Sequence, residues 1–210
     1  MEDKARYDAL FGEASRRNLV YFTTTASGGN VLTASVLAEV QRFDALARQV
    51  YAYAHKERKT WDDLNGGNYT FTDLCVQALS GGCALFANPL ELFVRSDGTY
   101  DFSVTDAQIL DIVNAGRGLD PQLFPPSSKR TLNVGAMFGG IVRDSDTGRI
   151  TSAASIVLTY TLIDGDPGED GTAGDVGEQL RKRAEAWEDQ LNLLVGPQVS
   201  PALTWDGHTT

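Results

Sequence analysis

Histidine and cysteine are scarce in this chain of 210 residues, with two of each. Two cysteines without a nearby histidine pair fall short of a zinc set, and they are too few for a disulfide framework. The two imidazoles, His55 and His208, stand in a basic helix end and in the tail, and no motif places a serine or cysteine nucleophile beside either. Catalysis by a triad is therefore not expected. The Gly-x-Ser-x-Gly elbow, the Walker A loop and the Rossmann fingerprint are missing as well. No run of about 18 or more apolar residues exists, so nothing in the chain reads as a transmembrane helix. Positive charge is also short: 18 Lys and Arg against 28 Asp and Glu give a net charge of -10, which argues against nucleic acid or anionic membrane surfaces as partners. The start, Met1-Glu2-Asp3-Lys4, has no apolar stretch of the signal-peptide kind.

What is present begins with the segment Asn68 to Cys83, which holds both cysteines and the sequon Asn68-Tyr69-Thr70. Leu74, Ala78 and Leu79 recur at helical spacing, predicting a short helix over Asp73 to Ser80 with Thr72 or Asp73 as its cap. Were that helix to run on, Cys75 and Cys83 would stand about 12 Å apart along its axis, beyond the roughly 4.4–6.8 Å Cα separation of a disulfide. Gly81-Gly82 allows the chain to fold back and close the gap. The residues alone leave two readings open, a local disulfide or two buried free thiols. A sequon beside a closable cysteine pair favours an extracytoplasmic setting, with the chain cut from a longer precursor.

A strand is expected over Leu19 to Thr25 and a helix from the Thr33 cap. In that helix Val36, Leu37, Val40, Phe43, Leu46, Ala47, Val50, Tyr51 and Ala54 form one apolar stripe, and His55-Lys56-Glu57-Arg58-Lys59 puts cations at its end. Residues 60–130 read as an insertion of short helices and turns, including a helix from Thr105 to about Asn114. Leu132 to Val142 and Ile150 to Ile163 predict two long strands joined by a hairpin turn at Arg143 to Arg149. On the second, Ile150, Ser152, Ala154, Ile156, Leu158, Tyr160 and Leu162 would share a face. After an acidic loop, Asp164 to Gly174, a helix carries Val176, Leu180, Ala184, Trp187, Leu191 and Leu194 on one side, capped by Asp175 to Glu178. A short strand over Val199 to Trp205 and a frayed tail close the chain.

With the insertion set aside, the order is strand, helix, strand, strand, helix, strand. That predicts an α+β, ferredoxin-like split βαβ core: a four-stranded antiparallel sheet with two helices on one face. The domain would be single, residues 1–210, with core segments 17–59 and 131–206 and the insertion at 60–130.

Neither Asp164-Gly165-Asp166-Pro167-Gly168-Glu169 nor Asp144-Ser145-Asp146-Thr147-Gly148 has the residues an EF-hand needs at its fifth and sixth positions, so no metal is expected. Gly135 to Gly140 lacks the following helix of a phosphate loop, and is expected where another group packs closely. Trp61, Trp187 and Trp205 are expected as core or interface anchors. No cofactor and no catalytic residue is assigned.

Several segments together look familiar: Leu10-Phe11-Gly12, Gly29-Asn30-Val31-Leu32-Thr33, Tyr69-Thr70-Phe71-Thr72-Asp73-Leu74-Cys75 with Cys83, Asn88-Pro89-Leu90, Gly139-Gly140 and Ile150-Thr151-Ser152-Ala153. In order and spacing, over nearly the whole chain, they resemble the first large extracytoplasmic domain of Patched-like transporters. Those belong to the resistance-nodulation-division superfamily, with Dispatched and the Niemann-Pick type C cholesterol transporter. The resemblance implies a ferredoxin-like domain after a first transmembrane helix, on the extracellular or organelle-luminal side. It implies a conduit or shelter for sterols and other lipids, formed with a second, companion extracellular domain of the same transporter. It also implies a disulfide between Cys75 and Cys83, while Asn68 remains the N-glycosylation candidate. A free-standing secreted binding or adhesion module is the first alternative. The second is a small acylphosphatase-like enzyme, for which Arg143 would need an anion loop before it that the sequence does not supply.

Overall fold

The computed structural model describes residues 15–25, 29–51, 69–76, 83, 88–95, 99–118, 132–163, 176–195 and 203–209. In chain order the elements are strand β1 (Ser15–Thr24), helix α1 (Ala34–Gln49), the one-turn helix α2 (Phe71–Leu74), a 3-10 turn (Pro89–Phe93), helix α3 (Asp106–Ala115) and the one-turn helix α4 (Val134–Met137). The short strands β2 (Phe138–Gly139), β3 (Val142–Arg143) and β4 (Ile150–Ser152) come next, then β5 (Ser155–Ile163), helix α5 (Val176–Gln190) with a π turn (Leu191–Val195), and β6 (Leu203–Thr209).

The result is a mixed α+β architecture with two antiparallel sheets. One has the order β2-β5-β1-β6 and the other is the β3-β4 hairpin. Register puts Asn18, Val20 and Phe22 opposite Tyr160, Leu158 and Ile156, so these six share a buried face. Helix α1 packs on that face through Phe43, whose ring stands 4.9 Å from Phe22. Helix α5 packs on it through Trp187, 5.5 Å from Tyr160. Arg16 on β1 also reaches α5, donating to Glu188 at 3.0 Å. The other face carries Leu19, Tyr21, Val157, Thr159 and Ile163, all half-buried.

Helix α1 begins where its cap predicts, with the Thr33 hydroxyl accepting from the Val36 amide. It stops sooner than its apolar stripe suggests. Val50 takes an extended conformation (φ -63°, ψ 131°) that buries its own side chain, and Tyr51 then lies 45% exposed instead of on the stripe. The proposed continuation to Ala54 and the His55 to Lys59 end lie outside the described residues. The helix expected from Thr105 to about Asn114 is α3, with Thr105 as its cap, and Asp106 at its start accepts from the Ala34 amide, tying α3 to the first turn of α1.

Leu132 to Val142 is not one strand. Amide bonds from Val134 to the Leu132 carbonyl and from Ala136 to the Asn133 carbonyl wind α4 instead, leaving β2 two residues long. Gly135 and Ala136 are weak strand formers, and the turn buries Met137 completely. Ile150 to Ile163 is likewise broken, at Ala153-Ala154. The Asn30 side chain accepts from the Ala153 amide at 3.1 Å, the Val31 amide donates to the Ala153 carbonyl, and Ala154 donates to Gly139. The break shifts the phase: Ala153 is buried and Ala154 exposed, the reverse of unbroken alternation, while Ile156, Leu158, Tyr160 and Leu162 point inward as expected. At the other end, β6 runs to Thr209, where a frayed tail from Asp206 was expected. Pairing Asn18 with Thr209 and Leu19 with His208 holds it to β1. The acidic loop, Trp61 and the Pro121 to Pro126 stretch lie outside the described residues.

Gly135 to Gly140 does mark a close approach. Gly140 has φ +61°, and a Cβ there would stand 2.7 Å from that of Ala154. Gly148 has φ +68° with nothing within 4 Å of such a Cβ. The pair separates backbone strain from crowding. In urea denaturation Gly148→Ala should cost about 1 kcal/mol, and Gly140→Ala about 2–4 kcal/mol because overpacking adds to the same strain. Equal losses would mean that the Ala154 contact relaxes freely.

Candidate functional site

The two cysteines meet at a corner built by one short turn. The Thr70 amide and hydroxyl both donate to the Asp73 carboxylate at 2.8 Å, so α2 starts at Phe71, earlier than the predicted Asp73. It ends after Leu74, short of the predicted Ser80, because Cys75 turns extended (φ -74°, ψ 151°) and pairs with Leu162 of β5. The Val76 amide then donates to the Thr161 carbonyl at 3.0 Å. Cys75 and Val76 thus add a short rung to the β5 edge, at the opposite end of the strand from β2. Cys75 and Cys83 are disulfide-bonded with Cα atoms 5.4 Å apart, which resolves the two readings left open by spacing. Asn68 lies outside the described residues, although Tyr69 beside it stacks under the Arg183 guanidinium, 4.1 Å from the ring centre.

A bridge closing so small a loop constrains the unfolded chain only modestly. Replacing both cysteines with alanine should lower unfolding free energy by about 2.5 kcal/mol on loop-closure entropy. Because Cys75 is fully buried in the core, a loss well above that would assign part of the effect to packing.

Beneath this corner lies a charged group that periodicity did not single out. Asp44 sits on the apolar face of α1 with 2% exposure. Its carboxylate accepts from the Tyr160 hydroxyl at 3.0 Å and from Arg48 Nε at 2.7 Å. The Arg48 guanidinium in turn lies 5.3 Å from the centre of the Phe71 ring in α2. Burial, with the neighbouring Asp44 charge, pushes the Tyr160 hydroxyl well above its ordinary range, and Tyr100 upward too. Burial works against the Arg48 charge, but Asp44 outweighs it and the guanidinium is raised. A tyrosine held protonated next to a buried ion pair is a structural tie and a poor acid or base at neutral pH. The sequence did carry a signal: Val40, Phe43, Asp44 and Ala47 share a helical face, and Arg48 follows Asp44 by one turn.

The third feature is a polar cleft of about 360 Å³ between α3 and the hairpin, lined by Asp111, Asn114, Arg143, Thr147 and Arg149 among others. Asn114 forms its floor. Its amide nitrogen donates to the Leu110 and Ile150 carbonyls and its oxygen accepts from the Ile150 amide, clamping α3 to β4. The hairpin turn is held by Asp144, whose carboxylate accepts from the Thr147 amide and hydroxyl and from the Asp146 amide; these bonds hold it below the usual carboxylate range. The Asp144 to Gly148 stretch is therefore a turn, as its sequence suggested, and the structure adds that the Asp144 carboxylate is engaged within it. Asp101 is set similarly by the Ser103 hydroxyl and amide and by Arg95, which lower it to about 2.

Of the residues singled out in sequence, Cys75 and Cys83 are brought together and Trp187 is a core anchor. His208 lies in β6, and Arg143 on the hairpin donates to the Gly148 carbonyl at 2.9 Å. Among the described residues no group of three or more His, Cys, Asp or Glu side chains is placed to hold a metal ion, and no helix is long and apolar enough to cross a membrane. Neither a protein-family profile nor any curated protein matches the chain in sequence.

Proposed function

We propose that this chain is a non-catalytic, extracytoplasmic domain with ferredoxin-like topology, belonging to a Patched-like transporter and serving with a companion domain to shelter sterol or other lipid substrates. The observation that carries the reading is the strand order β2-β5-β1-β6 with antiparallel neighbours throughout and α1 and α5 packed on one face. Counting only those four strands and two helices, the chain order is βαββαβ, which is the split βαβ arrangement. The Cys75–Cys83 bridge adds support for an oxidising compartment. The resemblance of the cysteine segment, Asn88-Pro89-Leu90 and Gly139-Gly140 to that family supplies the transporter part of the reading.

The test is to read the native gene on both sides of this segment and to score hydropathy in a window of about 19 residues. The expected result is an apolar span of about 20 residues just upstream and a cluster of further spans downstream. A signal peptide upstream with a stop codon downstream would overturn lipid transport and leave a secreted binding module.

A further inference from the structure

We propose that the cleft between α3 and the β3-β4 hairpin is a binding site for a phosphate-class oxyanion, gripped by Arg143 and Arg149. Two guanidiniums line it against a single lining carboxylate, Asp111, so the lining itself carries one net positive charge on a chain whose total charge is -10. Asp144 stands nearby with its oxygens turned to the turn's own amides and the Thr147 hydroxyl; those bonds keep it ionised, so its charge, like that of Asp111, works against an anion and the two guanidiniums must outweigh both. Each arginine is steadied by a protein acceptor, Arg143 Nη1 by the Gly148 carbonyl and Arg149 Nη2 by Asp111. A guanidinium has five N–H donors, so one such bond on each leaves a fork for a ligand. Because Asn114 clamps the floor with three bonds, little ordering is required when a ligand enters.

The chemistry favours phosphate over a simple carboxylate. A tetrahedral phosphate has acceptor oxygens for two guanidinium forks at once, whereas a carboxylate matches one. Asp111 opposes the anion, so its removal should help binding, an effect opposite in sign to the usual loss at a binding residue. The site stands on the cleft alone and does not require the transporter reading.

The experiment is a titration of the isotopically labelled full chain with inorganic phosphate at low ionic strength, followed by amide NMR shifts. Saturable shifts are expected at Asp111, Arg143, Gly148 and Arg149. Arg143→Gln and Arg149→Gln should each weaken binding about tenfold, the loss of one charged hydrogen-bond set. Asp111→Asn should tighten it about threefold or more. Both arginine side chains are exposed, so the glutamine variants should keep the fold, which circular dichroism checks. Sedimentation with phosphatidylcholine vesicles, with and without phosphatidic acid, identifies the source. Binding only when phosphatidic acid is present, lost in the double glutamine variant, assigns the site to a lipid headgroup; phosphate binding without vesicle binding assigns it to a soluble phosphate. Absence of saturable shifts, or shifts unchanged in both glutamine variants, would overturn the proposal.

Discussion

Asp44→Ala should destabilise the domain by about 3 kcal/mol and lower its Tm by roughly 6–12 °C. The substitution removes the acceptor for both the fully buried Tyr160 hydroxyl and the Arg48 guanidinium. Stranding a buried charge after deleting its partner costs about 3–5 kcal/mol. Arg48 keeps 29% of its side chain exposed, which lets water recover part of that loss and places the effect at the lower end. Asp44→Asn keeps the shape and removes the charge. With its Oδ1 facing Arg48, the amide can donate from Nδ2 to the Tyr160 oxygen, so both contacts survive while the ion pair is lost. Its cost should fall between that of Tyr160→Phe, about 1–2 kcal/mol, and that of alanine. A double-mutant cycle on Asp44 and Tyr160 measures the coupling directly. A loss below about 1 kcal/mol for Asp44→Ala would mean that the cluster relaxes into solvent and does not tie α1 to β5.

Trp187→Ala should cost about 4 kcal/mol, with a Tm drop of roughly 8–16 °C. The indole is fully buried and stands 5.5 Å from Tyr160 and 5.6 Å from Phe71, so it joins α5 to β5 and to the cysteine corner at once. Truncation leaves a large cavity at the meeting point of three elements, none of which can collapse into it without moving the others. Trp187→Phe sharpens the test. The indole N–H finds no hydrogen-bond acceptor among the described residues, a standing cost that phenylalanine removes. The lost ring area and the removed unpaired donor act in opposite directions, and the net change should be about 1 kcal/mol or less. Similar losses for alanine and phenylalanine would show that the site depends on indole shape and not on filled volume. Unfolding free energies from denaturant titration settle the comparison.

What was legible in the chain was local. Thr33 caps the helix it was expected to cap, the helix expected from Thr105 is there, and the alternation Ile156, Leu158, Tyr160, Leu162 sets the inner face of β5. The hairpin at Asp144 to Gly148 was readable because its turn residues bond within the turn itself. The errors share another origin. The break at Ala153 arises from Asn30, a residue 123 positions away whose side chain takes over a ladder amide, and no window around Ala153 contains that information. Cys75 leaves its helix because β5 offers a backbone partner far along the chain. The cleft was not found because Asp111 and Arg149 become neighbours only once Asn114 has docked α3 on β4, 36 residues ahead of its partner Ile150. Asp44 differs from these, since its position on the apolar stripe was visible and only its meaning needed the partner Tyr160.

The central position of β1 has a consequence for biosynthesis. Its two neighbours are β5 and β6, which begin at Ser155 and Leu203, so the strand is flanked by two that are made well after it. At about 5–20 residues per second, β1 waits roughly 7–26 s after its own completion at Thr24 before the β5 segment begins to be made, and longer for β6. During that interval Val20 and Phe22, which end fully enclosed, have no sheet to enter. The nascent chain therefore carries an apolar strand with both edges open while residues 25–154 are made. Holding that strand apart from other chains until β5 and β6 have emerged is a task for chaperones, and it makes termination ahead of Thr209 a route to aggregation.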